Sequence, residues 1–180
     1  SKCIKFMTSF LCDNYQDKVL SCLSLYEDRL SIYKEAVMNK VKEVNDNVII
    51  DKYKNVFGFI DGTHIPIVKP QPRRQNNVNM DLDAAFYNGF YKTHCVIYQG
   101  LSLPDGLIIV DDIYSGGGRN DFTLWNDGSI KQCLDGLNLK RITDDQYLEP
   151  YRVLGDVIYY HDYVSVVSLR SRHNLTLQEL

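Results

Sequence analysis

The chain has 180 residues, 44% hydrophobic and 24% charged, which fits one globular domain with at most a small appendage and enough apolar material for a core. A formal net charge of -3 excludes a globally basic surface, so a nucleic-acid partner must be met by a local basic face. The five cysteines have no CxxC spacing and read as reduced thiols of an intracellular protein rather than a zinc site. No apolar run reaches membrane-span length, and no signal-peptide core follows Ser1-Lys2-Cys3. The lack of an initiator Met leaves a longer product open.

In chain order, residues 1–46 read as a helical segment, with Val19, Leu20, Leu23, Leu30, Val37, Val41 and Val44 at roughly helical spacing and charged residues between them. Asn45-Asp46-Asn47 ends it. Val56 to Ile60 is a buried type of strand that ends in Asp61, where Gly62 lets the chain turn away. Ile65 to Val68 is extended until prolines stop it, and 70–85 is a polar loop. Tyr91 to Gln99 is the second strand, Pro104-Asp105-Gly106 a turn, and Leu107 to Tyr114 the third strand, hairpinned to the second. After Gly116-Gly117-Gly118, Asn120 or Asp121 caps a helix running through Trp125 towards Leu134. Tyr151 to Leu154 is the fourth strand, and the tail after Tyr160 has no firm pattern.

A three-strand meander, a helix, and then a strand ending in an acid is the order of an RNase H-like core: an α/β fold with a mixed sheet and flanking helices. The expected organisation is a helical segment at 1–46, this core at 47–160 and a divergent, truncated tail at 161–180. In that order the first and fourth strands lie side by side, which brings Asp61 and Asp156 together.

Asp61, Asp121 and Asp156 each sit at an element boundary. Carboxylate oxygens suit Mg2+ or Mn2+, ions that keep room for phosphate oxygens, and a pair of such ions can activate an attacking oxygen while stabilising the leaving one. Each acid alone also has a structural role to play: a turn before Gly62, a helix cap, a second turn. Asp111 and Asp112 inside a strand, and Asp144 and Asp145 in a loop, compete with them. His64 could orient a carboxylate or simply be half buried in an extended segment, and His94 reads as structural. Lys69, Arg73, Arg74, Lys92 and Arg119 fall on loops or strand starts, where they could meet a phosphate backbone or only solubilise the fold. There is no Ser-His-Asp or Cys-His arrangement and no phosphate-binding GxxxxGK[ST] loop.

The segments GFIDGTHIPIVKP, YNGFYKTHCVIYQGLSLPDGLIIVDDIYSGGGRNDFTLW and RVLGDVIYY, taken together, resemble the DDE-superfamily endonuclease domain of Harbinger/PIF-type transposases and their domesticated relatives, over roughly Phe57 to Tyr160. The resemblance implies an RNase H-like fold and divalent-metal-dependent DNA strand cleavage and joining. It makes Asp61 the first acid, Asp121 the acid closing the Gly-rich motif (with Asn120 where His is usual) and Asp156 the acid of the Gly-Asp motif. It also implies nuclear residence and a DNA-binding region, either ahead of the nuclease domain or on a partner protein. One departure stands out: the family's further glutamate, on a helix after the Gly-Asp motif, has no counterpart here, and Glu179 is the only later Glu. That departure sets up a second expectation, a truncated, catalytically silent remnant that binds DNA or protein. A third is an unrelated phosphohydrolase with a different strand order.

Overall fold

The computed structural model describes residues 5–7, 9–10, 13–14, 27–44, 53–71, 82–111, 113–144, 148–159 and, for the backbone only, 165–167. Its central element is a mixed, curled sheet of seven strands flanked by helices. Helix α1 (Glu27–Val44) begins with Glu27 and Asp28 and ends near Lys42, charges placed to suit its macrodipole. Its buried residues Leu30, Tyr33 and Val37 recur on one side and pack against β1 (Val56–Pro66). Asn55, in the left-handed region at φ 67, turns the chain into β1, and its carbonyl accepts a hydrogen bond from Arg152 N at 2.8 Å.

β1 does not stop at Asp61. It runs on to Pro66, antiparallel to β3 (Thr93–Ser102), with Asp61 beside Gly100, Gly62 beside Gln99 and Thr63 beside Tyr98. Sheet pairing therefore overrides the turn tendency of Asp-Gly. Gly62 is needed for space, not for bending: a Cβ there would lie 2.0 Å from Asp121 Oδ1. On its other flank β1 runs parallel to β6 (Arg152–Gly155). Val56 lies beside Arg152 and Gly58 beside Val153, so β1 carries one extra residue between these pairs. β7 (Ser165–Val167) adds parallel to β6, a strand hidden in what reads as a patternless tail.

The far flank of β3 is covered piecemeal. β2 (Tyr87–Asn88), which follows the short helix α2 (Leu82–Phe86), pairs at one end; β5 (Tyr114–Ser115) and β4 (Ile108–Val110) pair further along. The expected third strand is thus split in two, and the expected second strand starts at Thr93 because Tyr91 and Lys92 belong to a turn, Lys92 at φ 55. Asp111, in the break, is 5% exposed. Its Oδ1 accepts hydrogen bonds from Ser129 N at 3.0 Å and Ser129 Oγ at 2.6 Å, so an acid from the sheet caps a helix that starts far along the chain.

That cap also divides the expected single helix. α3 (Asp121–Asp127) and α4 (Ser129–Asp144) are separated by Gly128, whose backbone is extended at φ -77, ψ 153. A Cβ at Gly128 would lie 2.1 Å from Asp111 Oδ2, so a side chain would displace the cap. In the main core cluster Phe57, Ile60, Leu101, Leu103, Ile109 and Val153 from the sheet meet Leu30 and Tyr33, then Trp125, Ile130 and Leu134, and Tyr159; smaller clusters form around Val37 and Val56 and around Cys95, Ile97 and Leu124. Asn138 on α4 is buried but satisfied, donating to Tyr151 O at 3.0 Å and accepting from Tyr151 N at 2.7 Å, which ties the start of β6 to the helix layer. Cys95 is a buried free thiol, and Cys133 packs against the main core cluster. Among the described residues no helix is long and apolar enough to cross a membrane.

Candidate functional site

The site begins with the parallel pair β1 and β6. Phe59 lies beside Leu154, and two residues further on each chain presents an aspartate, Asp61 and Asp156. Both carboxylates are exposed, and each accepts from the next amide: Gly62 N to Asp61 Oδ1 at 2.8 Å, Val157 N to Asp156 Oδ1 at 2.6 Å. The third acid arrives from α3. Asn120 caps that helix, its Oδ1 accepting from Thr123 N at 2.8 Å, which leaves the half-buried Asp121 carboxylate to reach over Gly62. Of the two candidate caps, Asn120 fills the role and Asp121 is spared from it.

Electrostatics show that the three acids share one neighbourhood. Burial first, then the negative charges of Asp61 and Asp156, hold the Asp121 carboxyl above its ordinary value, while His64 acts in the opposite sense. Tyr159, fully buried beneath them, is pushed strongly upward by burial and by Asp121, Asp61 and Asp156, so its hydroxyl stays protonated. No lysine or arginine among the described residues forms an ion pair with any of the three acids; the ion pairs that exist engage other carboxylates.

Gln99 links these parts. It is completely buried in β3, and its Nε2 donates to Asp121 O at 2.6 Å and to Tyr159 Oη at 2.9 Å. One side chain thereby ties the first residue of α3 to the tyrosine three places after Asp156. Gln99 Oε1 has no hydrogen-bond partner among the described residues. Sequence reasoning missed Gln99 and Tyr159. For Gln99 the signal was a lone amide in an otherwise apolar strand; for Tyr159 it was its spacing from Asp156.

Beside Asp121 lies a cleft of about 230 Å³ whose lining includes Gly62, His64, Phe90, Tyr91 and Arg119. Asp61 and Asp156 stand outside this cleft. Among the described residues no group of three or more His, Cys, Asp or Glu side chains forms a ready metal cage, so the acids share a field rather than a closed coordination shell. The donor set nevertheless suits a hard divalent cation, being all carboxylate oxygen with mutual repulsion that a cation would relieve. Asp61 and Asp156, with Asp121 from the helix side, are the residues that could hold one.

The basic residues divide. Lys69 is engaged by Asp83 at 2.8 Å, and the same carboxylate binds His94 Nε2, so both belong to a clasp behind β3 and His94 is structural. Arg119 lines the cleft but also pairs with Asp127 at 3.2 Å and lies over the Tyr114 ring at 4.9 Å. Lys92 is exposed and has no ion-pair partner among the described residues. Arg73 and Arg74 lie outside the described residues. His64 stacks on Tyr91 with ring centroids 3.8 Å apart and 17° between planes. No known family profile matches the chain, and neither a curated protein nor a solved structure matches it.

Proposed function

We propose that this chain is a divalent-cation-dependent DNA strand-cleaving domain of the Harbinger/DDE type, built on an RNase H-like sheet. The observation that carries the reading is the meeting of Asp61, Asp121 and Asp156, far apart in sequence, in one field where no lysine or arginine among the described residues neutralises them. A fold does not gather like charges in this way for stability, and such arrangements concentrate at functional sites. The strand arrangement supports the RNase H-like part: a β4/β5 edge, then β3, β1, β6 and β7, with β1 antiparallel to β3 and parallel to β6. Mg2+ or Mn2+ held by Asp61 and Asp156, with Asp121 completing the shell, would supply the activated oxygen and neutralise charge at a scissile phosphate.

The protein's own residues do the positioning. Gln99 fixes the peptide of Asp121, and the neutral Tyr159 hydroxyl adds no further negative charge under the carboxylates. Arg119 and Lys92 offer cations to the backbone of the bound strand. DNA as partner and residence in the nucleus follow from the same reading, as does a separate DNA-binding protein if the chain has no reader of its own.

The test is cleavage of supercoiled plasmid in Mn2+ or Mg2+ by the full chain and by Asp61→Asn. Loss of the acid should reduce cutting by at least about 100-fold, the scale of removing one strong transition-state interaction; equal cutting refutes the assignment. A second reading, a non-cutting DNA-binding module, is favoured by the exposed positions of Asp61 and Asp156 outside the cleft that Asp121 lines. Titration calorimetry with Mn2+ separates the two: saturable binding abolished by Asp156→Ala supports the enzyme, and no binding supports the silent module.

A further inference from the structure

We infer that the turn Gly89–Lys92 carries a stacking platform for one unpaired nucleobase of a bound DNA strand, a subsite beside the carboxylates that the cleavage reading does not itself supply. The inference rests on that reading only for the identity of the polymer. Phe90 is 86% exposed and Tyr91 46% exposed, so the fold gains little from burying either ring. The backbone that carries them is nevertheless held. The buried Asn88 accepts from Phe90 N at 3.0 Å and Tyr91 N at 3.1 Å through Oδ1, and its Nδ2 donates to Gly116 O at 3.0 Å. Lys92 closes the turn in the left-handed region.

The result is a preorganised aromatic ladder. His64 stacks face to face on Tyr91, and Phe90 lies perpendicular to Tyr91, with ring centroids 5.0 Å apart and 89° between planes. At 86% exposure Phe90 keeps ring surface open to a flat π system. All three rings line the cleft that Asp121 and Arg119 also line. An exposed aromatic on the same turn as Lys92, in a cleft that Arg119 also lines, is an arrangement by which single strands are gripped: bases stack while phosphates meet positive charge. A paired base inside a duplex has both faces occupied by its neighbours, so the platform selects an unpaired one. A protein ligand would be met by apolar pockets for side chains, whereas Phe90 projects from the turn at 86% exposure.

The experiment is fluorescence anisotropy of a labelled 12-nucleotide dT strand, its duplex with dA, and the same strand with abasic sites, on the full chain in EDTA so that no cutting occurs. The parent should bind the single strand more tightly than the duplex or the abasic strand. Phe90→Ala should weaken single-strand binding roughly 5- to 100-fold, the scale of losing one base–aromatic stack. Phe90→Trp should restore it, and the salt slope should stay unchanged because no phosphate contact is lost. Since Phe90 is exposed, Phe90→Ala should fold normally. Equal binding by Phe90→Ala and the parent, equal binding of intact and abasic strands, or no binding by the parent overturns the platform. Plasmid cutting is scored separately: a binding defect in Phe90→Ala without any metal-dependent cutting sinks the nuclease reading alone, and cutting with no such defect sinks the platform alone.

Discussion

The acids at the α1–hairpin junction and at the head of α4 contrast with those at the β1–β6 edge. Asp105 receives Tyr33 Oη at 2.5 Å and Leu107 N at 3.1 Å, with Arg29 nearby at 3.6 Å. Asp111 receives Ser129 through two donors. Both serve the fold, and every charge there meets a donor. Asp121 instead feels the negative charges of Asp61 and Asp156, and those two accept only from single adjacent amides among the described residues. The same residue type thus stabilises the fold at Asp105 and Asp111, while burial and like charge work against the ionised form of Asp121. Local consistency broken at one place marks where a second partner belongs.

Substitutions at three positions sharpen the contrast. Asp111→Ala should be the most damaging, because it uncaps α4 and strands buried donors; a loss of about 2–4 kcal/mol is expected by urea unfolding. Asp111→Asn, which keeps one acceptor oxygen, should lose less. Tyr33→Phe comes next. The hydrogen bond from Tyr33 is the main reason the Asp105 carboxyl sits below its ordinary value. Its contribution is therefore present above the unfolded value of 3.8 and fades as pH falls through the lower folded value. The variant should melt below the parent at pH 7, and the gap should close in acid.

Asp121→Asn should give the smallest shift, in the opposite direction. Its carboxyl is raised by burial and then by Asp61 and Asp156, so the folded state is penalised once pH rises above the ordinary 3.8 through the raised folded value. The variant should melt above the parent at pH 7 and converge with it below that window, since Asn120 still caps α3. Mn2+ should raise the melting temperature of the parent more than that of the variant. A fall in stability for Asp121→Asn at neutral pH would erase the distinction between the two sets of acids.

The coarse α/β class was legible because its signals are local: apolar runs for β1, β3 and β6, and Pro104-Asp105-Gly106 between β3 and β4. What was not legible depends on distant partners. Asp-Gly reads as a turn, but β3 pairs straight past it. Gly128 breaks a helix because Asp111, from another strand, occupies its space. β7 has three residues in a polar tail and is defined only by lying beside β6. At the candidate site the aspartates could be named from sequence, but their lack of lysine or arginine partners among the described residues could not, nor could the engagement of Lys69 and Arg119 by other acids. Gln99 stayed hidden because its meaning depends on two groups that only the folded chain brings to it.

The extra residue in β1 between Val56 and Gly58 has a consequence some distance along the strand. Counted from the Val56–Arg152 pair without it, Asp61 would stand level with Val157; counted from Gly58–Val153, it stands level with Asp156. Neighbouring strands lie about 4.8 Å apart, so this one-residue offset acts as a vernier that sets two carboxylates abreast. Gly58 suits the kink, since a Cβ there would come within 2.9 Å of Ser102 O. A deletion that straightened the strand would leave the core largely apolar and foldable while sliding one acid past the other, a way to silence the edge without touching any residue in it.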